Sequence, residues 1–291
     1  MKIAESWLRE WVNPELDTEG LGHQLTMLGH EVDTIDFEGE GIGDVVIAEV
    51  VAVEKHPDAD KLSVCGVDVG ADEPLQIVCG AKNVAAGMKV PVAVVGAVLP
   101  GDFRIRKARL RGVESAGMIC SASELGLAES SSGIMPLPGD APVGEDFRAF
   151  LELDDACIDV DLTPNRGACL SVAGLARETG VVNAAELTPP VISAVEARVD
   201  AVFPVRLDAP EACPRYVCRV VRGIDARAQT PLWMQERLRR SGIRSRGPVV
   251  DVTNYVLLEI GQPMHGFDLA RVKDEIRVRL AASGERGELL N

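Results

Sequence analysis

GAVLPGDFRIRKARLRGVESAGMICSASELGL, residues 96–127, carries Arg104, Arg106, Lys107, Arg109 and Arg111 within eight positions. Ile105, Ala108 and Leu110 alternate with these cations and are expected to hold the strand to a core. Gly96, Pro100 and Gly101 before them are turn formers. A cationic strand on the edge of a small β-barrel can track a phosphate backbone. The alternative is a solvated strand face, since Phe103 is the only nearby ring on which a base could stack.

Upstream, DVVIAEVVAVEKH (44–56), KLSVCGVDVG (61–70), LQIVCGAKNV (75–84) and KVPVAVVGAVLP (89–100) are valine-rich runs. HPDAD, GADEP and NVAAGM interrupt them about every ten residues, the pattern of short strands in a small all-β barrel or sandwich. Downstream, SELGLAESSSGIMPLPGDAPVGEDF (123–147) reads as loop.

The flanks differ in texture. Within residues 1–39, Ile3, Trp7, Leu8, Trp11 and Val12 recur at helical spacing, Asn13-Pro14 stops the run, and Leu21, Leu25, Leu28 and Val32 resume it. Glu5, Glu10, Glu15 and Glu19 on the outer face argue against a helix-turn-helix reader of nucleic acid. Residues 152–190 resume a helical pattern, as a separate linker or as the second half of one domain into which the barrel is inserted. After Pro189-Pro190 the chain reads as α+β, with strands expected in RYVCRVVRGI (215–224), PVVDVTNYVLL (248–258) and EIRVRLAA (275–282). One helix is expected in PLWMQERLRRSGI (231–243), with Pro231 in its first turn and Gly242 at its stop.

Thirty Lys and Arg against 45 Asp and Glu give a net charge of −15, which argues against a general nucleic-acid coat and makes the basic stretch conspicuous. With 291 residues and 46% apolar content, two or three globular domains are expected. No run approaches the ~20 apolar residues of a membrane span, and the N-terminus lacks a signal-peptide pattern, so a soluble cytoplasmic protein with no membrane partner is expected. Seven cysteines without a C-x-x-C, and His56, Asp58 and Asp60 in an ordinary turn sequence, predict neither a disulfide framework nor a metal site.

HPDADKLSVCGVDVG, QIVCGAKNV and the 96–127 stretch together resemble the tRNA-binding OB-fold module of the bacterial phenylalanine–tRNA ligase β subunit, of other synthetases and of free-standing tRNA-binding proteins. SWLREWV, LTMLGHEVD, DVDLTPNRGACLSVAGLARE, PRYVCRVV, PLWMQERLRRSGIRS and VVDVTNYVLLEIGQPMHGFDL are similar to the flanks of that β subunit alone. The resemblance implies an α+β multidomain chain. A discontinuous helical domain (1–39 and 152–195) would enclose an OB-fold β-barrel (40–151), followed at 200–291 by the first part of a mixed α/β, B3/B4-like editing domain that stops short at Asn291.

An editing domain answers a limit of recognition. A pocket shaped for phenylalanine rejects one added hydroxyl by only on the order of 10², so a second site must hydrolyse mischarged Tyr-tRNA(Phe). The resemblance maps that pocket onto Arg244, Thr253, Asn254 and His265, with the carboxylate that reads the tyrosine hydroxyl beyond Asn291. Thr253 and Asn254 would orient the aminoacyl group or a water, His265 the terminal ribose, and Arg244 a phosphate. By residue type alone, His265 is a loop histidine and Arg244 a helix-end charge. Gly266 stands where the family commonly has alanine, and Ala168 where aspartate is frequent.

The implied partners are tRNA(Phe) and an α subunit, in a heterotetramer of two α and two β chains. ATP and Mg²⁺ are implied for the holoenzyme, with no cofactor or metal bound by this portion and no aminoacylation residues in it. The isolated chain is expected to be inactive. A non-catalytic tRNA-binding or assembly module is the competing reading, and an independent deacylase a further one.

Overall fold

The computed structural model describes residues 1–287. Residues 288–291, with the expected interruption of the editing portion at Asn291, lie outside the described residues. The chain begins with β1 (Lys2–Ala4), α1 (Glu5–Trp11), α2 (Thr18–Met27) and β2 (His30–Phe37). The Asp17 carboxylate accepts the Gly20 N–H (2.8 Å) to start α2, and Gly29, at φ +84°, turns the chain back into β2.

The next segment carries β3 (Gly43–Lys55), β4 (Ser63–Asp68), β5 (Leu75–Cys79), β6 (Lys89–Leu99), β7 (Phe103–Arg104), β8 (Ala108–Leu110), β9 (Val113–Ser115), β10 (Gly117–Ile119) and α3 (Phe147–Phe150). Its main sheet is antiparallel in the order β10-β6-β3-β4-β5, with β7 on β6. Register shifts between Gly43 and Val45 and between Val50 and Ala52 let β3 bend, so one long strand serves both limbs of a curled half-barrel. Ile47, Leu99 and Phe147 fill one end, and Val50, Val67, Ile77 and Val92 the other. The expected β-barrel is thus OB-like in its curl.

The chain then returns to the sheet of β1 and β2 with β11 (Ala156–Leu162), followed by a 3₁₀ turn over Pro164–Cys169 and α4 (Val172–Asn183). β11 lies between β1 and β2, pairing Ile158 with Ile3 on one side and with Ile35 on the other. The flanking segments therefore share a three-stranded sheet, where sequence periodicity had suggested helices alone. ACIDVDL alternates apolar and acidic residues, the period of a half-buried strand, and Val32, expected on a helix, belongs to β2. Trp7, Leu8, Leu21, Leu25, Ile158, Val172 and Leu175 form the core between this sheet and its helices.

The remaining elements are β12 (Val205–Leu207), α5 (Leu232–Arg240), α6 (Pro248–Ile260) and β13 (Ile276–Val278), with β12 and β13 paired in parallel. The 215–224 segment has no regular structure, and 248–260 is a helix rather than the strand its valines suggested. Pro248 occupies the first turn of α6, and Gly261, at φ +74°, ends it. Met234, Leu238 and Leu258 from α5 and α6 bury themselves in the same core as Trp7 and Ile158, and this tertiary burial overrides β-propensity.

Candidate nucleic-acid interface and the α5–α6 segment

The basic stretch begins at a tight turn. Gly101 and Asp102, at φ +79° and +57°, fold Phe103–Arg104 back along Val98–Leu99. Ile105 is the anchor: it is buried, its N–H donates to Ala97 O (2.8 Å), and its carbonyl accepts from Gly96 N–H (2.9 Å). Beyond it the chain leaves the sheet as the two-stranded ribbon β8–β9, closed by Arg111-Gly112 at φ +49° and +88°, the backbone signature of a tight hairpin turn. Ala108 and Leu110, expected to hold the strand to the core, are exposed; of the three apolar residues only Ile105 is buried.

Arg104, Arg106, Lys107, Arg109 and Arg111 are all exposed. Lys107 pairs with Glu114 across the ribbon (2.7 Å). The four arginines make no ion pair among the described residues. Phe103 is also exposed, so a ring and a row of cations face solvent together.

The ribbon is tied down from beneath. Gln76 Nε2 donates to Glu114 O (2.8 Å), Val78 N–H to Ser115 Oγ (3.0 Å) and Ala116 N–H to Gln76 O (2.9 Å), which secures β9 to β5. His56, buried in the HPDAD turn, lies 3.0 Å from Leu110 O through Nε2 and accepts the Asp58 N–H at Nδ1 (3.1 Å). Residue types alone had left His56 as a turn residue, and its distant partner was not foreseeable from local sequence. Asn83 clasps Ile134 in both directions, accepting its N–H (3.1 Å) and donating to its carbonyl (2.9 Å). Beside that clasp an open depression of about 410 Å³ is lined by Cys79, Gly80, Met118, Ser121, Glu124 and Ser132.

Arg244, Thr253, Asn254 and His265 occupy three places. Arg244 is exposed between α5 and α6, Thr253 and Asn254 are neighbours on α6, and His265 is exposed in the segment after it. Thr253 Oγ1 donates to Val250 O (2.7 Å), and the His265 ring lies 4.5 Å from Phe267. Among the described residues no hydrogen bond, ion pair or ring contact joins any two of the four. Gly266 packs near Val249, whose side chain would lie 3.1 Å from an added Cβ.

The polar centre of this segment is Asp251, which sequence reasoning passed over. Its buried carboxylate accepts from Thr230 Oγ1 (2.5 Å), Ser245 Oγ (2.6 Å), Arg246 N–H (2.8 Å) and Gly247 N–H (3.3 Å). Burial works against its charge, but these hydroxyl and backbone donors outweigh it and hold its carboxyl below the usual range.

α5 adds a second arginine-rich stretch, RLRR (237–240), whose cations are all engaged. Arg237 pairs with Glu10, donates to Tyr255 Oη (3.0 Å) and lies over the Trp7 and Trp233 rings, 5.1 and 5.7 Å from their centres. Arg239 pairs with Glu38 (2.7 Å) and Glu236 (2.9 Å). Arg240, buried, pairs with Asp155 (2.8 Å) and donates to Leu151 O (2.5 Å).

Comparison with known proteins follows this division. The family described as "Putative tRNA binding domain" matches residues 45–146, and the family described as "B3/4 domain" matches residues 212–291. The phenylalanine–tRNA ligase β subunits of Hahella chejuensis and Coxiella burnetii are 58% and 56% identical over all 291 residues. Over its whole length the chain is similar to phenylalanine–tRNA ligase β subunits. It spans 37% of the length of each of these relatives. Among solved structures, the C-terminal domain of Plasmodium vivax p43 is 24% identical over 37% of this chain and 59% of its own, at a TM-score of 0.27. A MetRS related protein from Pyrococcus horikoshii is 27% identical over 34% of this chain and 84% of its own, at a TM-score of 0.25. All five exposed cations of the basic stretch lie inside the tRNA-binding match, and Arg244, Thr253, Asn254 and His265 inside the B3/4 match.

Proposed function

We propose that this chain serves a cytoplasmic phenylalanine–tRNA ligase by contacting tRNA(Phe) through the β7–β9 basic strand and ribbon and by contributing part of a site that hydrolyses Tyr-tRNA(Phe). The observation that carries the first role is the exposed row of Arg104, Arg106, Lys107, Arg109 and Arg111, of which only Lys107 has an acidic partner among the described residues. Cations left without protein partners are available to phosphate, and their counterions are released on binding. Phe103 beside them offers a stacking face.

For editing, the support is the B3/4 match together with the residue types of Arg244, Thr253, Asn254 and His265. In this reading Asp251 sets the start of α6 and so the orientation in which Thr253 and Asn254 are presented. Charging itself belongs to the proposed assembly with an α subunit as two α and two β chains, to which ATP supplies the activating chemistry with Mg²⁺. Among the described residues no three His, Cys, Asp or Glu side chains gather as a metal site, and no helix is long and apolar enough to cross a membrane.

The deciding experiment replaces Arg104, Arg106, Lys107 and Arg109 with alanine and titrates a tRNA(Phe) transcript over a range of salt. Weaker binding with a flatter dependence on salt is expected; equal affinity and equal slope would return the row to a solvated face. In the holoenzyme, His265→Ala is expected to slow release of tyrosine from Tyr-tRNA(Phe) while leaving phenylalanine charging intact. Unchanged deacylation would remove His265 from the editing role.

A further inference from the structure

His56 directly follows β3, yet its side chain reaches the basic ribbon across 54 positions of sequence. A carbonyl oxygen can only accept, so the contact with Leu110 O places the ring proton on Nε2. Nδ1 is then free to accept from Asp58 N–H, as its geometry requires. One neutral, buried imidazole thus joins the HPDAD turn to β8. Among the described residues it makes the only side-chain hydrogen bond between β8 and the rest of the barrel. The bonds through Gln76 and Ser115 secure β9 instead.

The bonded carbonyl belongs to Leu110, the residue between Arg109 and Arg111. Leu110 is itself exposed, so side-chain packing does little to fix this end of the ribbon. We propose that His56 is a positioning residue for RNA binding: its Nε2–H bond holds β8 so that Arg109 and Arg111 meet phosphate groups together. The inference rests on the basic ribbon being the tRNA contact. It goes further by assigning a function to the histidine of the turn, which touches no RNA itself.

Two substitutions separate the two bonds of the ring. In His56→Asn the side-chain oxygen can still accept the Asp58 N–H as an Asx turn, but the side chain is too short to reach Leu110. In His56→Gln the amide nitrogen can reach Leu110 O while the bond to Asp58 is lost. Each variant of the intact chain, with Arg109→Ala/Arg111→Ala alongside, is titrated with a tRNA(Phe) transcript at several NaCl concentrations, and its Tm is measured.

His56→Asn is expected to keep the fold, to weaken binding on the order of fivefold, the effect of one net hydrogen bond, and to flatten the salt slope by about one phosphate contact. His56→Gln is expected to restore the parent slope. In the Arg109→Ala/Arg111→Ala background, His56→Asn should add no further loss. A His56→Asn protein that binds with the parent's affinity and slope overturns the proposal, as does a His56→Gln protein whose slope matches that of His56→Asn. Should Arg109→Ala/Arg111→Ala itself bind like the parent, the ribbon is not the contact, and it is the underlying reading that fails.

Discussion

Two arginine-rich stretches look alike in the sequence and have opposite fates in the fold. Arg104–Arg111 carries five cations on an exposed strand and ribbon, with one ion pair (Lys107–Glu114) among the described residues, whereas Arg237, Arg239 and Arg240 on α5 each meet an acidic partner from elsewhere in the fold. The partners of the second group are Glu10 on α1, Glu38 just after β2 and Asp155 just before β11. Those arginines therefore hold the α5–α6 segment against the body of the chain. Density of positive charge does not separate an exposed cationic surface from an internal clasp; what separates them is whether the fold brings carboxylates within reach.

The sharpest way to break this contrast is Arg240→Ala. Removing one partner of a buried pair leaves the other charge poorly compensated, at a typical cost of 3–5 kcal/mol. Asp155 retains the Ser6 N–H (3.0 Å) and Oγ (2.7 Å) as donors, so a loss of about 3 kcal/mol is expected in denaturant unfolding. A loss below about 1 kcal/mol would place Arg240 with the surface pairs instead.

The fourfold alanine variant of the basic stretch should behave in the opposite way. We expect unchanged stability and about a hundredfold weaker tRNA binding near 0.1 M salt, since each lost phosphate contact removes counterion release. Salt alone sharpens the same comparison. Raising NaCl to about 0.5 M should strip tRNA from the ribbon while moving the Tm little, because buried pairs are screened far less than exposed cations.

Asp251→Asn comes next, at about 2 kcal/mol, because a charged acceptor of two hydroxyls and two backbone donors becomes a neutral amide. The pH dependence has a defined sign. A carboxyl whose folded pKa is depressed contributes stability that is complete above its unfolded value, about 4, and is lost as pH falls through the folded value. The parent should therefore lose stability below about pH 4 more steeply than Asp251→Asn, and parallel acid unfolding curves would contradict the assignment. The smallest effect is expected from Glu114→Ala, which frees Lys107 from an exposed pair worth at most ~1 kcal/mol. Stability should hardly change, while tRNA binding tightens slightly.

The barrel was legible because its strands are valine-rich runs separated by turn residues, a local signal that tertiary contacts reinforced. The sheet of the first domain was partly hidden. ACIDVDL has the period of a strand, but its neighbours β1 and β2 come from the other end of the chain, and no local pattern names a partner more than 100 residues away. PVVDVTNYVLL misled in the other direction. Its valines favour a strand, and a helix formed because Pro248 starts the turn, Asp251 gathers the donors around that start, and Leu258 buries itself with Trp7.

At the candidate site the same division holds. Residue type and spacing alone determined that a basic strand lies inside a small β module of an otherwise acidic chain. They also carried a resemblance to one β-subunit family along the whole chain. Only the tertiary structure decided which arginines stay free, that Ala108 and Leu110 face solvent, and that His56 reaches the ribbon through Leu110 O. Charge and turn chemistry are properties of neighbouring residues, whereas the availability of a cation depends on carboxylates that folding brings to it from distant parts of the chain.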